Sequence, residues 1–373
     1  MIDMAAWPGL HPSAASWTFT VDACPDELLS SWLARSAHRH GTYPYPFLSY
    51  RFPGRAVWDR DIDLTVPPSF LAELERSASL ETGTAVGLTL KPFADALCGF
   101  QRADPRSAHV PWLLSAGIRH RTRHLHGLQH CPACLLDGEP AFLRSWRLAF
   151  VVVCDRHGVV LRDGCPNCDA PLVPHRAPID RFGRCHSCGD AIGAGRELSD
   201  GAAVRSATVM QRRCLSAFAA GAAKAPELPC PGSEFLILAR TLASVMIPSS
   251  GLLHHGGDVR RSTGRRRQVE RMRTIARINV LARLAAWTDD WPRSFSDQAD
   301  RLGLTRLTFA RLAIPPTLMA EVEKLPDGFR RRRKPWQSIL DDYAMRRLRR
   351  SDKAAGRRLR AERLLVAAAS SAG

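Results

Sequence analysis

Leu28, Leu29, Trp32 and Leu33 fall on one face of a helix whose first turn holds Pro25, Asp26 and Glu27, and Gly41 can stop it. After a proline-rich connector, Phe70–Leu74 and Ala85–Leu90 read as two short helical pieces joined by a turn around Thr82-Gly83. A helix-turn-helix fits that pair loosely, because Glu75 and Ser79 stand where a tight turn prefers alanine and glycine, and a plain helical hairpin fits equally. The apolar run Leu148–Val153 is too short for a helix and reads as a buried strand. Thr208–Phe218 and Glu234–Ile247 carry apolar residues three or four apart and are read as core helices, followed by a loop at His254-His255-Gly256-Gly257. Within Arg265–Trp287, Val269, Met272, Ile275, Ile278, Leu281 and Leu284 predict a helix with an arginine-rich opposite side. Over Phe295–Leu312, Ala299 lies four residues before Gly303, and small residues there let two helices cross closely about a sharp turn.

Charge changes the picture in the last third. The 373 residues contain 53 Lys+Arg against 36 Asp+Glu, a formal charge of +17. Residues 256–373 hold 28 of the basic and 13 of the acidic residues, an excess of 15, so the rest of the chain is close to neutral. A concentrated cationic block points to a polyanion, nucleic acid first, because each neutralised phosphate releases condensed counterions. Thr305, Arg306 and Arg311 on the second helix of the Phe295–Leu312 pair would face DNA, joined by Arg330, Arg331, Arg332 and Arg333. The run Arg346–Arg363 reads as a tail that grips phosphate without reading sequence.

The strongest chemistry lies between 131 and 188. Four pairs of donors, each with two residues between ligands, run CPAC, CDRH, CPNC and CHSC. Cys131, Cys134, Cys154, His157, Cys165, Cys168, Cys185 and Cys188 fill two tetrahedral zinc sites, with no open position for water. One site has three cysteines and a histidine, the other four cysteines. Sites closed in this way are structural rather than catalytic. The spacing of the second half is that of a zinc ribbon and favours neighbouring pairs sharing an ion, with a cross-braced arrangement as the alternative. Cys24, Cys98, Cys214 and Cys230 have no partner spacing and are read as buried reduced thiols. His120, His124, His126 and His130, interleaved with Arg119, Arg121 and Arg123, are read as a basic surface rather than a third metal site.

Several classes are excluded or disfavoured. The least charged long stretch, Thr241 to Gly257, is broken by Pro248, serines, glycines and two histidines, whereas a spanning helix needs about 20 mostly apolar residues. The segment MIDMAAWPGLHPSAAS lacks the basic and apolar regions of a signal peptide, and 11 cysteines mostly in C-x-x-C pairs favour reduced thiols, so a cytoplasmic location is expected. No phosphate loop, nucleophile elbow or H-E-x-x-H helix occurs, and no carboxylate cluster in the basic third suggests a two-metal nuclease.

The segment Pro25–Arg35 (PDELLSSWLAR), the CPAC pair, Ser145–Phe150 (SWRLAF), the phrase CDRHGVVLRDGCPNCDAPL and RCHSCGD together resemble the TniQ (TnsD-related) family of bacterial transposition proteins over roughly residues 22–190. The chain departs from that pattern at Asp169, where glycine is the usual family choice. The resemblance implies a non-catalytic target-selection factor that links target DNA, or an effector complex already on DNA such as an RNA-guided one, to an AAA+ ATPase regulator and through it to the transposase. It also implies zinc at the eight donors and an amino-terminal ATPase contact, for which Glu27, Ser31 and Arg35 are the candidates. A homodimer is left open. The expected fold is mainly α with small zinc-stabilised β/loop modules: an N-terminal helical domain (1–125), a double zinc module (126–195), a helical region (196–255), a basic helix-turn-helix-like domain (256–335) and an arginine-rich tail (336–373). The alternative function is a zinc-containing helix-turn-helix transcription regulator.

Overall fold

In the computed structural model, residues 16–98, 109–119, 122–179, 182–194, 201–247, 268–310 and 312–328 are described. His120, Arg121, the loop at His254–Gly257, Arg311, Arg330–Arg333 and the Arg346–Arg363 run lie outside them. The architecture is mainly helical, and the described part up to Pro326 belongs to one compact unit.

Helix α1 (Leu29–Arg39) is buried from Leu29 to His38, so it behaves as a core element rather than a surface amphipathic helix. Its first turn lacks a local side-chain cap. The distant Asp63 supplies one, accepting the Ser30 N–H and the Ser30 hydroxyl, both at 2.8 Å. Leu29, Trp32, Leu33 and Ala37 face a cluster with Trp17, Phe47, Phe52, Trp58, Phe70 and Leu74. That cluster is built by α2 (Pro44–Arg51), α3 (Ile62–Thr65), α4 (Pro68–Ser77) and α5 (Thr84–Gly87). Leu28 and Ala34 face the other way, into a larger core reaching Leu325. Thus α1 is the wall between two apolar clusters, and α6 (Lys91–Cys98) lies on the larger one through Ala94 and Leu97.

The α4–α5 hairpin turns through left-handed backbone at Ser79 and Gly83, with φ of 55° and 92°. Glu75 tightens it by accepting the Gly83 and Ala85 N–H groups at 3.0 and 2.9 Å. The residue that weakened the helix-turn-helix reading therefore builds the turn of a short hairpin.

A single two-stranded ribbon is found among the described residues, β1 (Ile118–Arg119) against β2 (Thr122–Arg123). The predicted strand Leu148–Val153 is buried along its length but does not form a regular strand. It pairs only through bridges at its two ends, Leu148 with Leu113 and Val153 with Val160. A helix side chain takes the place of a neighbouring strand. Gln211 Oε1 accepts the N–H groups of Val152 and Val153 at 2.7 and 2.9 Å, and its amide donates to the Val153 carbonyl at 2.8 Å.

Gln211 belongs to α7 (Ala202–Ala220), which packs on α8 (Gly232–Met246) and α9 (Thr274–Thr288). The α7–α8 approach is close enough that a Cβ on Gly232 would stand 2.1 Å from the Ala217 carbonyl oxygen, so only glycine fits. The predicted helix from Arg265 is shorter than expected. Val269–Arg271 is a separate 3-10 turn, Arg273 is extended, and α9 begins at Thr274. The predicted apolar face holds at Ile278, Leu281 and Leu284, which are buried, but Ile275 in the first turn is 52% exposed and Arg277, on the side read as arginine-rich, is fully buried. Arg277 donates to the Ala149 carbonyl and to Gln129 Oε1, both at 2.7 Å. Burial without a carboxylate partner draws its guanidinium down to about 10.

Helix α10 (Arg293–Leu302) ends at Gly303 in left-handed conformation (φ 60°), with Ala299 fully buried beneath the turn, as the small-residue spacing predicts. The second helix, α11 (Arg306–Phe309), is one turn long, and α12 (Pro316–Val322) follows.

Candidate metal centres

The four knuckles are turns closed by their own backbone, in the first of which the Leu135 N–H bonds the Cys131 carbonyl at 3.3 Å. The Gly158 N–H bonds the Cys154 carbonyl at 2.8 Å, Asp169 N–H bonds that of Cys165 at 3.0 Å, and Gly189 N–H bonds that of Cys185 at 3.0 Å. These three turns place the residue after the second ligand in left-handed backbone, at φ of 68°, 55° and 79°. Two of the three are glycines. The third, Asp169, adopts it as an aspartate can, and its carboxylate is gripped by Arg273 through Nη1 at 3.0 Å and Nη2 at 2.6 Å. His126 Nε2 lies 3.0 Å from the Asp169 carbonyl oxygen, and Gly164 leaves the room that the Asp169 side chain occupies.

Two clusters of donors result: Cys131, Cys134, Cys154 and His157, and Cys165, Cys168, Cys185 and Cys188, with ligand atoms within 4.8 Å of one another in each. Neighbouring pairs come together, so the sequential arrangement is found and the cross-braced one is not. In the first cluster His157 Nδ1 lies 3.2, 3.5 and 3.6 Å from the sulfurs of Cys134, Cys131 and Cys154, and the Cys134 and Cys154 sulfurs are 3.7 Å apart. In the second, Cys165–Cys188 and Cys168–Cys185 are 3.6 and 3.7 Å apart. A metal–sulfur bond of about 2.3 Å implies tetrahedral edges of roughly 3.8 Å, so both donor sets fit one tetrahedral ion each. One thiol in each set is drawn toward the thiolate, while the hydrogen bond with Cys154 pushes Cys131 up and burial pushes Cys134 and Cys165 up. The hydrogen bond from Cys131 draws Cys154 down to about 5, and the Ala170 backbone N–H draws Cys168 down to about 7.

The surroundings of the two sites differ. Behind the first, His157 Nε2 is 2.8 Å from Asp137 Oδ2, which also meets Arg156 at 3.3 Å. This carboxylate fixes the tautomer that presents Nδ1 to the cysteines. The second site sits at the surface, with Cys168 and Cys188 exposed.

Of the described histidines before the block, His124 is exposed and His126 half-buried, whereas His130 is fully buried, its Nε2 3.0 Å from the Ile192 carbonyl oxygen. His130 is therefore part of the core rather than of a basic surface. Among the four remaining cysteines, Cys214 and Cys230 are buried and Cys24 and Cys98 are half-buried, all free.

The expected partner face at Glu27, Ser31 and Arg35 is corrected by burial. All three are buried, and Glu27 accepts from the Ser31 hydroxyl at 2.6 Å and from Arg35 at 2.5 Å. Ser31 Oγ in turn accepts the Phe142 N–H at 3.0 Å, and Arg35 reaches Glu139 at 2.7 Å. The triad holds α1 to the metal module. A parallel joint uses the fully buried Arg147, which meets Asp61 at 2.6 Å, the Leu114 carbonyl at 2.8 Å and Asp63 at 3.4 Å. Neither joint is visible in local sequence, because the residues that each ties together across the fold lie 33 to 111 positions apart. Asp137 left a fainter signal, an acid three residues beyond Cys134 in a site with one histidine.

In the basic third, Thr305 is half-buried and forms reciprocal caps with Thr308, which occupies its hydroxyl. Arg306 is exposed, but its Nε donates to the Leu325 carbonyl at 2.9 Å. A one-turn α11 does not present the extended recognition helix that the sequence suggested.

Two closed metal-donor sets on a helical frame define a helical module built around two candidate metal centres. None of the described helices is long and apolar enough to cross a bilayer. Residues 18–161 match the TniQ family model, that of a transposition-associated family. The match takes in the first donor set and ends before the second. No curated protein matches the chain.

Proposed function

We propose that this protein is a non-catalytic target-selection adaptor of DNA transposition. It would hold target DNA, or an effector complex on DNA, and present it to an AAA+ ATPase regulator that engages the transposase. The observation that carries the reading is the TniQ match over residues 18–161, lying on a module whose two donor sets each offer four protein ligands. Zinc suits both, since it favours tetrahedral thiolate and imidazole donors, and when bound it would supply stability to a knuckle region with little regular secondary structure. With four protein donors in each set, no position remains for substrate or activated water. The DNA-binding role belongs in this proposal to the basic residues 256–373.

The test is recruitment. Purified protein on a target-bearing duplex is mixed with an AAA+ ATPase regulator from the same host, and a ternary complex is sought by gel shift and by cryo-EM. A ternary complex that depends on both components is the expected result. An ATPase that ignores the protein, alongside sequence-specific operator binding by the protein alone, would replace the adaptor with a transcription regulator.

A further inference from the structure

A cleft of about 530 Å³ opens between α1 and both metal knuckles. Its volume falls within the range of roughly 300–1,000 Å³ typical of ligand sites. Leu135 and Phe182 are buried in its apolar lining, and Leu136 beside them is 68% exposed, among the most exposed large apolar side chains described. The charged lining is lopsided: Arg35, Arg39 and Arg184 face a single acid, Glu139. Glu139 is already paired with Arg35. Arg39 and Arg184 are exposed, and neither makes an ion pair among the described residues. Arg184 uses one N–H on the Gly189 carbonyl, and Arg39 lies 5.8 Å over the Phe19 ring, so both keep donors for a ligand.

We propose that this cleft docks an acidic segment of a partner protein, one large apolar side chain resting on Leu135, Leu136 and Phe182 and its flanking carboxylates on Arg39 and Arg184. Charge complementarity selects the occupant: two guanidinium groups without an ion-pair partner beside an exposed leucine call for carboxylate and hydrocarbon together. A DNA backbone would satisfy the arginines but leave the apolar floor unused. The inference rests on the adaptor reading for the partner's being a protein of that assembly, while the binding chemistry stands on the cleft alone.

The walls tie docking to metal. Leu135 and Leu136 directly follow Cys134, and Arg184 directly precedes Cys185. The two knuckles meet at Gly193, where a Cβ would come within 3.1 Å of the Pro132 carbonyl oxygen and 3.2 Å of Leu136. Loss of either ion would therefore disassemble the cleft.

The experiment uses the full, metal-loaded chain and a fluorescent peptide of Asp and Glu residues around a central Phe, with a control in which every acid is Lys. Fluorescence anisotropy should show saturable binding of the acidic peptide, and none of the basic one. Arg39→Glu with Arg184→Glu should weaken it by roughly tenfold or more, Leu136→Asp likewise, and the exposed Arg283→Glu not at all. Metal content and circular dichroism of each variant establish that it has folded. Stripping the metal should abolish binding. Absence of peptide binding, equal binding of the Lys peptide, or unchanged affinity in the double variant would overturn the proposal. Competitive displacement by a DNA duplex, lost in the same double variant, would overturn it in favour of a nucleic-acid site. Peptide binding with no ATPase recruitment would leave the cleft standing and remove the adaptor, so the two readings fail separately.

Discussion

Asp137 acts on the first metal site without touching a sulfur. Its hydrogen bond to His157 Nε2 at 2.8 Å orients the ring and raises the basicity of Nδ1. Asp137→Ala should weaken metal at that site by about 10–100-fold in a chelator competition while the four-cysteine site is unchanged, and Asp137→Asn should recover part of the loss. Equal affinities in wild type and both variants would remove Asp137 from the site. A second residue-scale prediction concerns Asp169, whose left-handed backbone stands where the second and fourth knuckles have Gly158 and Gly189. Asp169→Gly and Asp169→Ala both lose the Arg273 pair, so their difference isolates the backbone. Alanine should be less stable than glycine by about 1 kcal/mol in urea unfolding of the metal-loaded protein. Equal stability would mean that the turn does not need the left-handed form. The eight donors were legible because a knuckle is a local object, its two ligands set by one turn. Arg273 and Asp137 were not, because what brings them to the site is tertiary packing. Glu27 and Arg35 misled for a related reason: their charge suggested a surface, and only the fold shows that each satisfies the other inside.

At the scale of elements, the long helices α7 and α8 emerged where the apolar spacing placed them, since a period of three to four residues leaves one face to bury. The pattern failed where a side chain replaced a backbone partner. Leu148–Val153 has the composition of a strand, yet two of its N–H groups and one carbonyl are satisfied by Gln211 from α7. The same logic explains the buried arginine of α9. Asp163 accepts the Thr274 N–H at 2.7 Å and Arg273 at 3.0 Å, fixing where the helix begins, and that starting point carries Arg277 into the core. Gln211 therefore carries more stability than an average helix residue. Gln211→Leu keeps an apolar bulk but leaves Val152 and Val153 N–H groups buried without acceptors, at about 1–3 kcal/mol for each. Thermal or urea unfolding should show a loss of about 3 kcal/mol, whereas a change near zero would mean that another acceptor, or water, takes over.

For the whole molecule, the question is where the surplus charge can act. Within the basic third, the described arginines that packing engages have little left for a polyanion. Arg273 is held by Asp163 and Asp169, Arg277 is fully buried, and Arg306 donates to the Leu325 carbonyl. Half of the basic residues of this third, 14 of 28, lie in Arg330–Lys334 and Arg346–Arg363, beyond the compact unit that ends at Pro326. If those residues hold DNA, affinity should fall steeply with salt, log K changing by about 0.9 per log unit of salt for every phosphate neutralised. Removing residues 330–373 should then flatten the slope markedly while leaving the metal content and the unfolding transition of the remainder intact. The slope is the better observable than affinity, because a truncation that merely disturbed the fold would weaken binding without changing the number of counterions released. An unchanged slope in a folded, metal-replete truncation would assign the phosphate contacts to the rest of the chain, with exposed residues such as Arg293 and Arg301 the next to be replaced.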